Sequence, residues 1–156
     1  ITSCAGNMVH HRLPPPGWSP SLESLSHAVT DALARGDRQM LESLCISEQE
    51  YSAYVWTGLP IAKIPEWQQQ KNFVWTQHRM RSNNGLSILL KNRGGMRYMV
   101  LGTSFMEAPT VYKYCTVHGK AVITVTDRQG MEQKLGFFGS IIERNGFYKV
   151  FSYNTD

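Results

Sequence analysis

GSIIERNGFYKVFSY, residues 139–153, reads as two short β-rich runs joined by Asn145-Gly146. Asn-Gly tolerates the two positive-φ positions of a tight turn, so the stretch predicts a closing antiparallel hairpin. The same texture extends back toward Gly85. LSILLK, RYMVLGTSF, TVYKYCTVH, AVITVTD and MEQKLGFFGSIIE are rich in β-branched, aromatic and aliphatic residues, and RGG, EAP, GK and RQG separate them. Gly136 and Gly139 within the last of these runs predict a bulge or bend that curls the sheet.

Before Gly85 the pattern is helical. Ser19 as N-cap and Pro20 at the first position start a helix carrying Leu22, Leu25, Val29, Ala32 and Leu33, and Gly36 ends it. Asp37 caps a short helix with Met40, Leu41 and Leu44. Ser47-Glu48-Gln49-Glu50 is a capping box that starts a third helical segment, EYSAYVW. Pro65 begins the longest helix, PEWQQQKNFVWTQHRMRS, which Asn83-Asn84-Gly85 is expected to stop. Helices first and strands afterwards predict an α+β fold with segregated elements. N-terminal helices packed on a curled antiparallel sheet form a cone with a pocket at its mouth.

The chain has 156 residues, 42% of them hydrophobic, which bounds one domain with a sizeable core. No run is apolar enough to span a membrane. Sixteen basic residues against twelve acidic give a net charge of +4. The basic residues are scattered, the closest grouping being Arg79, Arg81, Arg93 and Arg97. That distribution argues against nucleic acid as a partner and reads as solubility charge, with weak affinity for anionic surfaces as the alternative. No Cys/His spacing fits a structural metal, and no cofactor motif occurs. Cys45 and Cys115 sit among apolar residues and read as buried free thiols in preference to a disulfide.

Ile1-Thr2-Ser3-Cys4 has the order of a bacterial lipobox, with Cys4 as the lipidated residue. A spacer follows, with His10-His11 read as solvated residues and Leu13-Pro14-Pro15-Pro16-Gly17 as an extended run. Residues 1–18 are therefore expected to be a lipobox stub and tether, and residues 19–156 the domain.

Taken together, several stretches resemble the nuclear transport factor 2-like superfamily, the cone fold shared with ketosteroid isomerase and SnoaL-like proteins. They are the opening helix ending in Ala34-Arg35-Gly36-Asp37, the following MLESL, Glu50-Tyr51 to Trp56 with Leu59-Pro60, the long helix and the closing hairpin. The whole chain is most similar to a bacterial subgroup whose members often carry lipoprotein signals and have no assigned activity. The resemblance implies a cone with a pocket. It names no chemistry, because this fold hosts isomerases, cyclases, dehydratases and non-enzymatic binders.

The long helix offers the candidate ligand contacts. At 100° per residue Gln70, Val74, Gln77 and Arg81 share a line, flanked by Trp67 and His78 on one side and Phe73 on the other. Either this line faces the pocket, or Phe73, Trp75 and Met80 pack and the glutamines face water. Alternation places Tyr112, Tyr114 and His118 on one strand face. His78 could serve as a base and Tyr114 as a donor to an oxyanion, as in ketosteroid isomerase-like sites. Such isomerases also need a carboxylate in the pocket. Glu107, Asp127, Glu132 and Glu143 all fall at turns or strand ends. Tyr51, Tyr54 and Trp56 read as packing rather than a stacking platform.

The sequence therefore predicts a non-enzymatic, extracytoplasmic binding or interaction module, held in the bacterial cell envelope by lipid on Cys4 and otherwise cytoplasmic. Its ligand contacts would be Trp67, Gln70, Gln77, His78, Arg81, Tyr114 and His118. The alternative is a small-molecule isomerase, dehydratase or cyclase using the same pocket. Tyr112, Lys113 and Tyr114, with Phe147, Lys149, Phe151 and Tyr153, predict a bulky outer sheet face and a homodimer packed through it.

Overall fold

The computed structural model describes residues 12–154. Cys4 and the His10-His11 pair lie outside the described residues. The elements are α1 (Leu22–Ala34), α2 (Arg38–Ser43), α3 (Glu48–Glu50) and α4 (Gln70–Arg93), followed by β1 (Met99–Phe105), β2 (Thr110–Val111), β3 (Thr116–Gly119), β4 (Ala121–Thr126), β5 (Glu132–Leu135), β6 (Phe138–Arg144) and β7 (Phe147–Tyr153). A π-turn at Tyr51–Val55 and three 3-10 turns link α3 to α4. The fold is α+β, with helices packed against antiparallel sheets.

The helix starts follow their caps. Ser21, not Ser19, caps α1, its hydroxyl accepting from the Ser24 N–H. Asp37 caps α2, and both halves of the Ser47/Glu50 capping box are present. Gly36 takes the left-handed conformation expected after α1, with φ 63°.

The end of α4 corrects the sequence reading. The helix runs through Asn83-Asn84-Gly85 and takes in LSILLK, which was expected to be a strand. Leu86 and Leu89 are buried with α1 in the main core, and that burial outweighs the weak helix propensity of Asn and Gly. Gly85 serves a contact rather than a stop. A Cβ there would lie 2.9 Å from the Tyr153 carbonyl oxygen and 3.1 Å from the Asn154 Cα. The helix thus presses its backbone onto the end of β7.

The strands form two sheets, ordered β1-β4-β5 and β2-β3-β6-β7. The chain crosses between them at a shared line. Lys120 alone separates β3 from β4, with φ 47°, and Gly136-Phe137 separates β5 from β6. The pairing continues across that line: Thr116 faces Glu143 in one sheet and Ile123 faces Leu135 in the other. Neither sheet closes on itself. The β6–β7 turn has Asn145 and Gly146 at φ 54° and 79°, as the Asn-Gly signal requires.

Two cores flank β6. Ile141 points into the larger one, built from Leu25, Val29, Leu33, Leu86 and the inner residues of β4 and β5. Ile142 points into a smaller, aromatic one with Trp18, Tyr51, Trp56 and Trp75. Phe147 and Phe151 pack against this second core, and Lys149 is only 5% exposed. The β7 part of the bulky face that motivated a sheet dimer therefore packs against the chain's own residues 46–75, whereas Lys113 and Tyr114 of the same face are exposed. The outer edge of β7 is covered as well. Ser19 and Tyr148 exchange two backbone hydrogen bonds, and Val150 bonds to Leu44 and Ile46. Covering an edge in this way removes a template for strand addition.

Candidate functional site

The capping box at Ser47 turns the chain sharply between α2 and α3, and the bonds from Leu44 and Ile46 to Val150 fix that corner on β7. α4 lies over the same strand, where the Ser82 hydroxyl accepts from the Tyr153 N–H at 3.1 Å. Between corner and helix opens a cleft of about 350 Å³. Cys45 and Ile46 form one wall, and Trp75, His78 and Ser82 the other. Lys149 and Tyr153 form the floor, and Glu48, Arg79 and Asn83 stand at the rim.

The interior groups are neutral or already engaged. Burial pushes the Cys45 thiol up to about 11, against opposing hydrogen bonds from Ser82 and Ile46, so it is not a thiolate at neutral pH. Burial raises the Tyr153 phenol well above its usual range, and its hydroxyl donates to the Leu41 carbonyl at 2.6 Å. Burial also lowers the His78 pKa, reinforced by the nearby Arg81 charge and opposed by a hydrogen bond to Phe151. His78 Nε2 lies 2.7 Å from the Phe151 carbonyl oxygen. A carbonyl only accepts, so Nε2 carries the proton. The ring is held by Phe151 at 4.5 Å, Trp75 at 5.7 Å and Tyr51 at 6.2 Å between centroids.

Beneath the cleft, Lys149 Nζ meets Glu50 Oε1 at 2.7 Å. Glu50 also accepts from the Ser47 N–H and the Trp18 indole. Burial pushes the Glu50 carboxyl up, but the bonds from Lys149, Ser47 and Trp18 outweigh it and hold the group below its ordinary value. This ion pair ties β7, α3 and the residue before Ser19 into one unit.

The sequence-selected residues do not form one constellation. Of the seven, only His78 lines the cleft. Trp67, Gln70 and Arg81 are exposed, and Gln77 is half-buried. Neither orientation considered for the long helix matches. The buried face runs through Trp75, Ser82, Gly85, Leu86 and Leu89, about a quarter-turn from the Gln70–Arg81 line. Phe73 and Met80, the packing residues of the other orientation, are each 61% exposed. Tyr112 and Tyr114 stand in an irregular segment between β2 and β3, so strand alternation does not apply to them. Tyr114 is exposed, near Gly58 and 5.2 Å from the Lys113 ammonium.

His118 belongs to a separate cluster that the sequence reading missed. Its Nε2 lies 2.7 Å from Glu143 Oε2, and the Tyr148 hydroxyl donates to the other Glu143 oxygen at 3.3 Å. Phe105 stacks on the imidazole at 4.5 Å. The Asn-Gly turn already implied half of this, because it places Glu143 opposite Tyr148 across the hairpin. The other half needs the β3–β6 register, which no local pattern encodes. Among the described residues no group of three His, Cys, Asp or Glu side chains could hold a metal, and Cys45 and Cys115 are free thiols. No helix among them is long and apolar enough to cross a membrane. Comparison of the chain with family models, with curated proteins and with solved structures finds no match.

Proposed function

We propose that the chain is a non-enzymatic binding module whose ligand enters the cleft between the 42–48 corner and α4. One observation carries this reading: among the described residues of the cleft interior, Cys45, His78 and Lys149 are each engaged by the protein's own groups, and no carboxylate hydrogen-bonds to His78 to form an acid–base pair. The Cys45 thiol is protonated, the His78 donor is spent on the Phe151 carbonyl, and Lys149 is paired with Glu50. Shape, an apolar wall and a few fixed polar groups are what a binding pocket needs. The isomerase, dehydratase or cyclase alternative has less support, because His78 lines this cleft and Tyr114 does not.

The test is a fragment screen by NMR on the folded chain. Perturbations clustered at Cys45, Ser82 and His78 support the reading. Hits elsewhere only, or turnover of a ketosteroid-like substrate lost in His78→Gln, would refute it.

The nuclear transport factor 2-like relationship, with its cone, belongs to the same proposal. It is supported by the order of helices and meander, and by strands that pass from one sheet to the other along a shared line. Anchoring in the bacterial envelope through Cys4 is supported by the Ile-Thr-Ser-Cys order and the proline-rich spacer. Membrane fractionation of the full gene product against its Cys4→Ala variant tests it.

A further inference from the structure

Between Glu66 and Glu107 the chain carries no Asp or Glu. The same stretch carries Lys71, Arg79, Arg81, Lys91, Arg93 and Arg97, all but the last on α4. The acidic residues of the N-terminal half concentrate instead around α1, α2 and α3, at Glu23, Asp31, Asp37, Glu42, Glu48 and Glu50. α4 itself thus carries five basic residues and no acidic one.

The outward line of α4 carries two bulky apolar residues in its N-terminal half. Opposite the buried stripe of Trp75, Ser82 and Leu89, the line runs through Phe73 and Met80, then the polar Asn84 and Ser87, and on to Lys91. Phe73 and Met80 stand two turns apart, and Arg79 and Arg81 project on opposite flanks of them. Both arginines are exposed, and among the described residues neither makes an ion pair. The turn leading into α4 adds Ile64 and Trp67, both more than 40% exposed.

We propose that this face of α4, with the turn before it, docks on an anionic lipid surface. Bulky apolar side chains flanked by arginines, with Glu66 of the preceding turn as the one carboxylate among residues 64–93, are what an interfacial helix presents to a bilayer. Trp67 and the long arginine stems suit the boundary between acyl chains and headgroups. The charge alone would serve nucleic acid equally well. A phosphodiester backbone, however, offers nothing to Phe73, Met80 and Ile64, and their exposure favours lipid. The docking needs only side chains of the folded domain, so it is separable from any lipid carried on Cys4.

The test uses the chain 1–156 without lipid. Its sedimentation is measured with vesicles of phosphatidylcholine alone, and of phosphatidylcholine mixed with phosphatidylglycerol. Binding is expected only to the anionic vesicles and is expected to weaken in salt. Arg79→Ser with Arg81→Ser should lower the partition coefficient by about twenty-fivefold, at about fivefold per arginine. Phe73→Ser with Met80→Ser should lower it by at least about tenfold. Arg35→Ser with Arg128→Ser makes the same charge change elsewhere and should have little effect. Circular dichroism checks that each variant is folded. Three outcomes would overturn the proposal: no binding to anionic vesicles, equal loss in the Arg35/Arg128 control, or full binding by the Phe73/Met80 variant. Binding to duplex DNA or single-stranded RNA without binding to vesicles would reassign the face to nucleic acid.

Discussion

Substituting Gly85 by alanine separates two accounts of α4 by the sign of the effect. If Gly85 were an ordinary interior position of an exposed helix, alanine would stabilise the protein by about 1 kcal/mol through helix propensity. The contact with β7 demands the reverse. The new Cβ would stand 2.9 Å from the Tyr153 carbonyl oxygen, with the Tyr153 carbonyl carbon and Asn154 Cα both at 3.1 Å. These are backbone atoms of a paired strand, so they cannot rotate away as a side-chain tip would. Overpacking of this kind costs about 1–3 kcal/mol. Lifting α4 also weakens the Ser82–Tyr153 hydrogen bond, worth about 1 kcal/mol. Setting the propensity gain against both losses leaves a net destabilisation of about 1–3 kcal/mol. Urea denaturation followed by tryptophan fluorescence reads it as a lower midpoint at unchanged slope. Asn84→Ala, one residue earlier and exposed, is the control and should stabilise by about 0.5 kcal/mol. A Gly85→Ala variant as stable as Asn84→Ala would refute the packing account.

Lys149→Met should destabilise the protein by about 3–5 kcal/mol, because it leaves the Glu50 carboxylate without its cation, and Lys149→Met with Glu50→Gln should recover part of the loss in thermal melts. His78 gives a stability that depends on pH. Its folded pKa is lowered, so the unfolded chain takes up the proton first, and stability should fall as pH drops below the ordinary histidine value near 6.5. His78→Gln should flatten that part of a stability-versus-pH curve; an unchanged slope would show that His78 is not the source. Cys115 is buried and its thiol is raised to about 11, so it should react with an aromatic disulfide reagent at pH 8 only on unfolding, whereas Cys45, also raised to about 11 but half-buried on the cleft wall, should react slowly in the native protein; rapid native labelling of Cys115 would contradict its burial.

Local chemistry was legible wherever it acts within a few residues. The Ser47/Glu50 capping box, the Asp37 cap, the left-handed Gly36 and the Asn145-Gly146 turn all depend on the backbone beside them, and they stand where their residues point. The helix stop at Asn83-Asn84-Gly85 was misread for the converse reason. Its meaning lies in contact with Tyr153, about seventy residues away, and propensity contains no information about that neighbour. The phase of α4 failed in the same way. Its faces differ little in polarity, with Gln77 and Arg81 on one side and Phe73 and Met80 exposed on another, so periodicity had no contrast to use. Lys149 was assigned to the outer sheet face by its alternation with Phe147 and Phe151. Only the tertiary partner Glu50 shows why it is buried.

The junction at Trp18 and Ser19 has a mechanical consequence. The chain enters the domain through a clasp: two backbone bonds join Ser19 to Tyr148, and the Trp18 indole is held by Glu50, which is itself bound to Lys149. Tension applied upstream of Trp18 would therefore be delivered first to the edge of β7 and to the buried ion pair, and would reach α1 only after the clasp has opened. A load path of that kind makes the clasp the first element to yield, while the main core around Leu25, Leu33 and Ile141 stays shielded behind it.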